Sequence, residues 1–149
     1  MSDPGRDDLP ELVEGERYRA ALRPDRAAFI RAHAVMAGIG AVAAGGVLVA
    51  MGDANWWVGP VAAVGALGVR GVWLMSEAMG FVWHLTDRRL IGPGGRIVAL
   101  ADLERVRILL GDVQIVTRGG DKHLIRYLAD ASAGMAEIEA ARARKARRR

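Results

Sequence analysis

The chain contains no cysteine, which excludes disulfides, thiolate zinc sites, iron–sulfur clusters and thiol nucleophiles together. Serine is almost as scarce: Ser2, Ser76 and Ser132 are the whole set, and none stands in the nucleophile elbow that acyl-transfer enzymes use. His33, His84 and His123 are scattered, without the i, i+4 spacing of a zinc-binding helix, and read as interfacial or surface histidines. The glycines at 92, 94 and 95 lack the Gly-Lys-Ser/Thr that makes a phosphate loop. Nothing in the sequence places Glu14 with Glu16, or Asp102 with Glu104, in a cleft as an acid/base pair, and solvated charge accounts for them better. The sequence therefore predicts no enzyme, no metal and no cofactor.

Aromatic residues make up only 5% of the 149 positions, whereas 52% are hydrophobic, and the apolar content is concentrated in the middle third as Ala, Gly and Val. Clustering of this kind indicates segments facing lipid rather than one shared core. An uncharged run from Ala34 to Gly52 spans roughly 28 Å as a helix, which matches a bilayer core. After Gly52-Asp53-Ala54-Asn55, a second apolar run opens at Trp56-Trp57 and continues past Arg70 to about Met79. The expected organisation is an N-terminal segment (1–30), a transmembrane hairpin (31–79, with spans at about 34–52 and 56–78) and a C-terminal β domain (80–149).

Arginines 17, 19, 23, 26 and 31 precede the first span and arginines 88, 89 and 96 follow the second, while the connecting turn offers only Asp53. Basic residues near span ends stay cytoplasmic, so both termini are expected on the cytoplasmic side of a bacterial inner membrane. Trp56 and Trp57 at one end, with Trp73 and Trp83 toward the other, are placed as interfacial anchors. Arg70, the one basic residue within the second run, is expected near the cytoplasmic headgroups, with an essential role in transport as the competing reading. Small residues (Gly38, Gly45 and Gly46; Gly59, Ala63, Gly65, Gly68 and Gly71) allow close helix approach, within the hairpin or toward another membrane protein.

Beyond Gly80 the periodicity becomes that of strands. Short runs at Phe81 to Leu85, Leu90-Ile91, Arg96 to Leu100, Leu103 to Leu110, Val113 to Thr117 and His123 to Leu128, with turns at Thr86 to Arg89, Gly92 to Gly95, Gly111-Asp112 and Gly119 to Asp121, predict a small antiparallel meander. Asp130 or Ser132 then caps a helix with acids early and bases late, docked through Met135 and Ile138.

Leu12-Val13-Glu14-Gly15-Glu16 near the start and Pro24 before the first span form part of a recognisable pattern. It continues in His84-Leu85-Thr86-Asp87-Arg88-Arg89-Leu90-Ile91 after the second span and in Ile97 to Val106. The pattern resembles a bacterial pleckstrin-homology (PH)-like membrane family, built as an N-terminal segment, a two-helix hairpin and a PH-like β domain. The resemblance implies an α+β membrane protein with a small antiparallel sandwich or barrel capped by a C-terminal helix. Some relatives in that family help to assemble membrane complexes. Only about 70 residues follow the second span, so the sandwich is expected to be small or incomplete, with the Glu16 to Leu22 segment or another subunit as candidates to complete it.

The expected function is a non-enzymatic inner-membrane interaction module that scaffolds or assists assembly of a membrane complex. Arg88 and Arg89 are its candidate contact face, and the tail carries Arg144, Lys145, Arg147 and Arg148. The alternatives are a sensor of anionic lipid headgroups through these same basic residues, and an accessory transporter subunit. Expected partners are anionic lipids of the cytoplasmic leaflet and another membrane protein or a second copy. Nucleic acid is disfavoured, because no base-stacking aromatics accompany the basic tail.

Overall fold

A computed structural model describes residues 10–147. The chain divides into two compact units: residues 25–79, and a β unit drawn from residues before 25 and after 79.

The first unit is a helical hairpin of α1 (Arg26–Ala50) and α2 (Val58–Met79). α1 starts eight residues before the apolar run, because the Asp25 side chain accepts the Ala28 N–H at 2.8 Å and caps the first turn. Both helices are long and apolar enough to cross a membrane, and only 6% of each apolar window is buried. A core helix of a water-soluble protein would be mostly buried. The small residues divide into two groups. A Cβ at Gly59 would lie 2.9 Å from Leu48 and 3.1 Å from the Ala44 backbone, and one at Gly45 would meet Pro60 at 2.9 Å, so these glycines set the hairpin's own close approach. A Cβ added at Gly38, Gly46, Gly65 or Gly68 would meet no neighbouring element within 4 Å.

The β unit holds two antiparallel sheets. The first has the order β1-β2-β3-β4, from β1 (Tyr18–Leu22), β2 (Trp83–Thr86), β3 (Arg89–Gly92) and β4 (Arg96–Ala99). The second has the order β5-β6-β7, from β5 (Leu103–Leu109), β6 (Asp112–Thr117) and β7 (Lys122–Ile125). The expected single meander is thus broken between β4 and β5, where a turn closed by Asp102 N–H on the Ala99 carbonyl (2.9 Å) redirects the chain into a second layer. β1 pairs with β2 across more than sixty residues of sequence, Leu22 opposite Trp83. The segment grouped with residues 1–30 therefore supplies an edge strand of the β unit. α3 (Ala131–Arg147), capped by Asp130 accepting the Ala133 N–H at 3.0 Å, packs Gly134, Ile138 and Ala141 into the core.

Leu85, Leu90, Leu100, Leu103, Val113, Ile115, Ile125 and Ile138 are essentially inaccessible and form that core. Trp83 belongs to it. At 3% exposure it packs on Gly92, where a Cβ would come within 2.7 Å of the indole, and lies edge-on to His123. This corrects its expected place among the interfacial anchors: β alternation turns Trp83 inward, and the absence of a side chain at Gly92 makes room for the ring.

Candidate functional site

Two of the sequence segments behind the family resemblance meet in the β unit. Val13 to Glu16 form a tight turn, with Glu16 N–H on the Val13 carbonyl at 2.8 Å and Val13 N–H on Glu16 Oε2 at 3.0 Å. Gly15, at φ +75°, supplies the left-handed step. Opposite it, β2 turns into β3 around Thr86, whose Oγ1 accepts the N–H groups of Arg88 (3.1 Å) and Arg89 (2.9 Å) and donates to Glu16 Oε1 at 2.7 Å. Arg89 completes the junction as a fork, Nε to Glu16 Oε1 at 2.9 Å and Nη2 to Oε2 at 3.0 Å, with Nη2 also reaching the Glu11 carbonyl at 3.1 Å. The Asp87 carboxylate accepts the Arg17 N–H at 2.9 Å.

The Glu16 side chain is fully buried. Burial by itself pushes its carboxyl upward, but the hydrogen bonds from Arg89, Thr86 and the Val13 N–H outweigh that effect and hold it at about 2 instead of 4.5. A carboxylate this well satisfied stays ionised and fixes the Arg89 guanidinium in place. Arg89 is thereby committed to the fold, its side chain only 20% exposed.

Arg88 points elsewhere. It helps line an open cleft of about 290 Å³ with Gly15, Arg19, Asp87, Ala141, Arg144 and Lys145. A neighbouring hollow continues from Arg19 and Arg144 along Ala20 of β1 and Ala136, Ala140 and Glu137 of α3. Together they form a groove between edge strand β1 and α3, held open because α3 presents alanines there. Lys145 Nζ donates to the Arg88 carbonyl at 3.1 Å and Arg88 Nη2 to the Gly15 carbonyl at 3.4 Å, so two of the cations are held by backbone. Among the described residues the salt bridges are Arg89–Glu16 and Arg126–Asp112, which leaves Arg19, Arg88, Arg144 and Lys145 without a carboxylate in ion-pairing range. The groove can neutralise an anionic group, and β1 can offer an edge to an extended chain.

Of the residues singled out from sequence, Arg88, Arg144 and Lys145 come together in this groove, while Arg89 faces Glu16. Arg147, the last residue of α3, is exposed, and Arg148 lies outside the described residues. In the hairpin unit Arg70 is exposed on α2, as are Trp56, Trp57 and Trp73 at 51%, 54% and 74%. Sequence reasoning treated Arg19 only as a topology signal and did not register the alanines of α3. The available cue was the spacing of Ala136 and Ala140, one turn apart, ahead of Arg144. No group of three His, Cys, Asp or Glu able to hold a metal ion occurs among the described residues.

No family model, no curated protein and no solved structure matches this chain.

Proposed function

We propose that the chain is a non-enzymatic, PH-like interaction module of the bacterial inner membrane, held by a two-span hairpin with both termini cytoplasmic. In this reading the groove between β1 and α3 takes an acidic, extended segment of a membrane-protein partner during assembly of a complex. The observation that carries it is the set of four cations, Arg19, Arg88, Arg144 and Lys145, with no carboxylate in ion-pairing range among the described residues, beside a sheet edge. Edge strands recruit extended peptides through backbone pairing while flanking side chains select among them. The two sheets capped by a C-terminal helix, with β1 filling the expected gap, support the PH-like reading. The two long helices with lipid-compatible exposed surfaces support the anchor.

Zero-length carbodiimide coupling tests this directly, because it joins a lysine amine to a carboxylate only on contact, and Lys122 and Lys145 are the only lysines in the chain. Native membranes should yield a Lys145 conjugate to an Asp- or Glu-rich segment of one membrane protein, lost in the Arg19→Glu/Arg144→Glu variant. A Lys145 conjugate that persists unchanged in that variant, or none at all, would sink the proposal.

A further inference from the structure

The register of the second sheet places a second cationic surface on the side of the β unit away from α3. In β5 and β6 the inner positions, Val106, Val113 and Ile115, enter the core with Ile138 of α3. The alternate positions face outward in three rows: Arg105 opposite Val116 and Lys122, Arg107 opposite Gln114 and Leu124, and Leu109 opposite Asp112, which bridges to Arg126 at 3.7 Å. Four basic side chains thus share this face with one acid and two exposed leucines. Glu104 and Asp121 lie at its far end, away from the β5–β6 turn.

That turn is the second observation. Leu109 pairs with Asp112, so the connection is the two-residue loop Leu110-Gly111, and both residues have positive φ (52° and 87°). Loops of this kind favour Asn-Gly or Asp-Gly, because a Cβ is strained in the left-handed region and the short polar side chains of Asn and Asp offset that strain by local hydrogen bonding. Here the first position is leucine, and it is 99% exposed. Neither the backbone strain nor the exposure of this side chain gains anything for the fold. Ile108 and Leu109, at 42% and 39%, extend the apolar tip.

We infer that the outer face of β5-β6-β7 is a docking face for an anionic lipid surface, with Leu110 as the wedge that enters the headgroup region. A basic face carrying a few protruding apolar side chains is the pattern of interfacial membrane binding, in which charge attracts and the apolar groups insert. Tyr127, beside the third row, already has the Arg126 guanidinium over its ring at 4.8 Å, and the rows themselves carry no aromatic side chain on which a nucleic-acid base would stack. Surface attraction of this size is weak for a free protein, but β2 begins only a few residues after α2 ends, so the hairpin would hold the face at high effective concentration. To that extent the inference rests on the membrane-anchor reading. It also leaves the β1–α3 groove free for a partner, on the other side of the sheet.

Because the chain lacks cysteine, single-cysteine variants of the full-length protein can carry an environment-sensitive fluorophore at one chosen site. Leu110→Cys reports the tip, Ser132→Cys an exposed position on α3, and Val64→Cys the middle of α2. Each is reconstituted in bilayers of phosphatidylglycerol and phosphatidylcholine in equal parts, or of phosphatidylcholine alone, with brominated acyl chains as quencher. The label at 110 should be quenched in the anionic bilayer and released in the neutral one. Each basic residue of the face replaced by Ala should weaken that quenching equilibrium by roughly fivefold, and the label at 132 should stay unquenched throughout. If position 64 is quenched but position 110 is no more quenched than 132, the docking face is wrong and the anchor stands. Quenching at 110 in the anionic bilayer without quenching at 64 supports the face and overturns the anchor. Arg105→Glu and Lys122→Glu, both at exposed positions, give an independent pair; unchanged quenching in both would also overturn the inference.

Discussion

In the helical hairpin the buried residues are small apart from Phe29 (Ala28, Gly45, Gly71 and Ala78), and most of the large apolar side chains point out; in the β unit the large apolar side chains point in and charge covers the outside. Val42, Val69, Val72 and Trp73 are at least 74% exposed, whereas Leu85, Leu90, Leu103 and Ile138 are at most 1% exposed. The contrast shows that one chain carries two packing strategies. The β unit is held by removing apolar area from water, and the hairpin by close backbone approach at Gly45 and Gly59. Polar contacts follow the same division. The buried carboxylate and its guanidinium belong to the β unit, where they tie β1 and its preceding turn to the β2–β3 turn.

The sharpest way to break this comparison is Arg89→Ala, which leaves the buried Glu16 carboxylate without its fork. Losing one partner of a buried pair costs about 3–5 kcal/mol. Hydrogen exchange read by mass spectrometry should show faster exchange across β1 to β3 and no change in α1 or α2, while Arg88→Ala stays near wild type.

Acid gives the same result without mutation. With the Glu16 carboxyl at about 2 when folded against 4.5 ordinarily, the folded β unit holds fewer protons, so its stabilisation is complete above 4.5 and is lost as pH falls toward 2. Up to about 3 kcal/mol disappears over that window, measurable as a falling denaturation midpoint that is absent in Glu16→Gln.

Adding one methyl group should separate the units further. Gly92→Ala drives a Cβ into the Trp83 ring and should cost about 1–3 kcal/mol, whereas Gly46→Ala meets nothing within 4 Å and should leave the hairpin's thermal stability unchanged.

The smallest effect tests a feature the units share. Asp25→Ala and Asp130→Ala remove the N-caps of α1 and α3, about 1 kcal/mol each. Fraying should be confined to the first turn in each case, and should be smaller in α1 if lipid surrounds the rest of that helix.

Much of the architecture was legible because hydrophobic period is a local property. The two apolar runs, the glycine-rich turns and the Asp130 cap each lie within a few residues of the element they define. Boundaries shifted where a polar cap or a turn overrode the apolar pattern, as when Asp25 started α1 ahead of Ala34. The candidate site was half legible. Arg88, Arg144 and Lys145 were recognisable as basic, but Arg88 and Arg89 read as equivalent, and only one of them faces the groove.

Composition and spacing alone determined that this chain has two helices fit for a membrane, a short-stranded antiparallel region and a capped C-terminal helix. These follow from side-chain chemistry repeated at the period of one element. What only the tertiary structure decided is which distant residues become neighbours: Glu16 with Arg89, Trp83 with Gly92, and Arg19 with Arg144. Pairing between β1 and β2 brings together positions more than sixty residues apart, and no local period encodes which of two adjacent arginines will meet a carboxylate and which will face solvent.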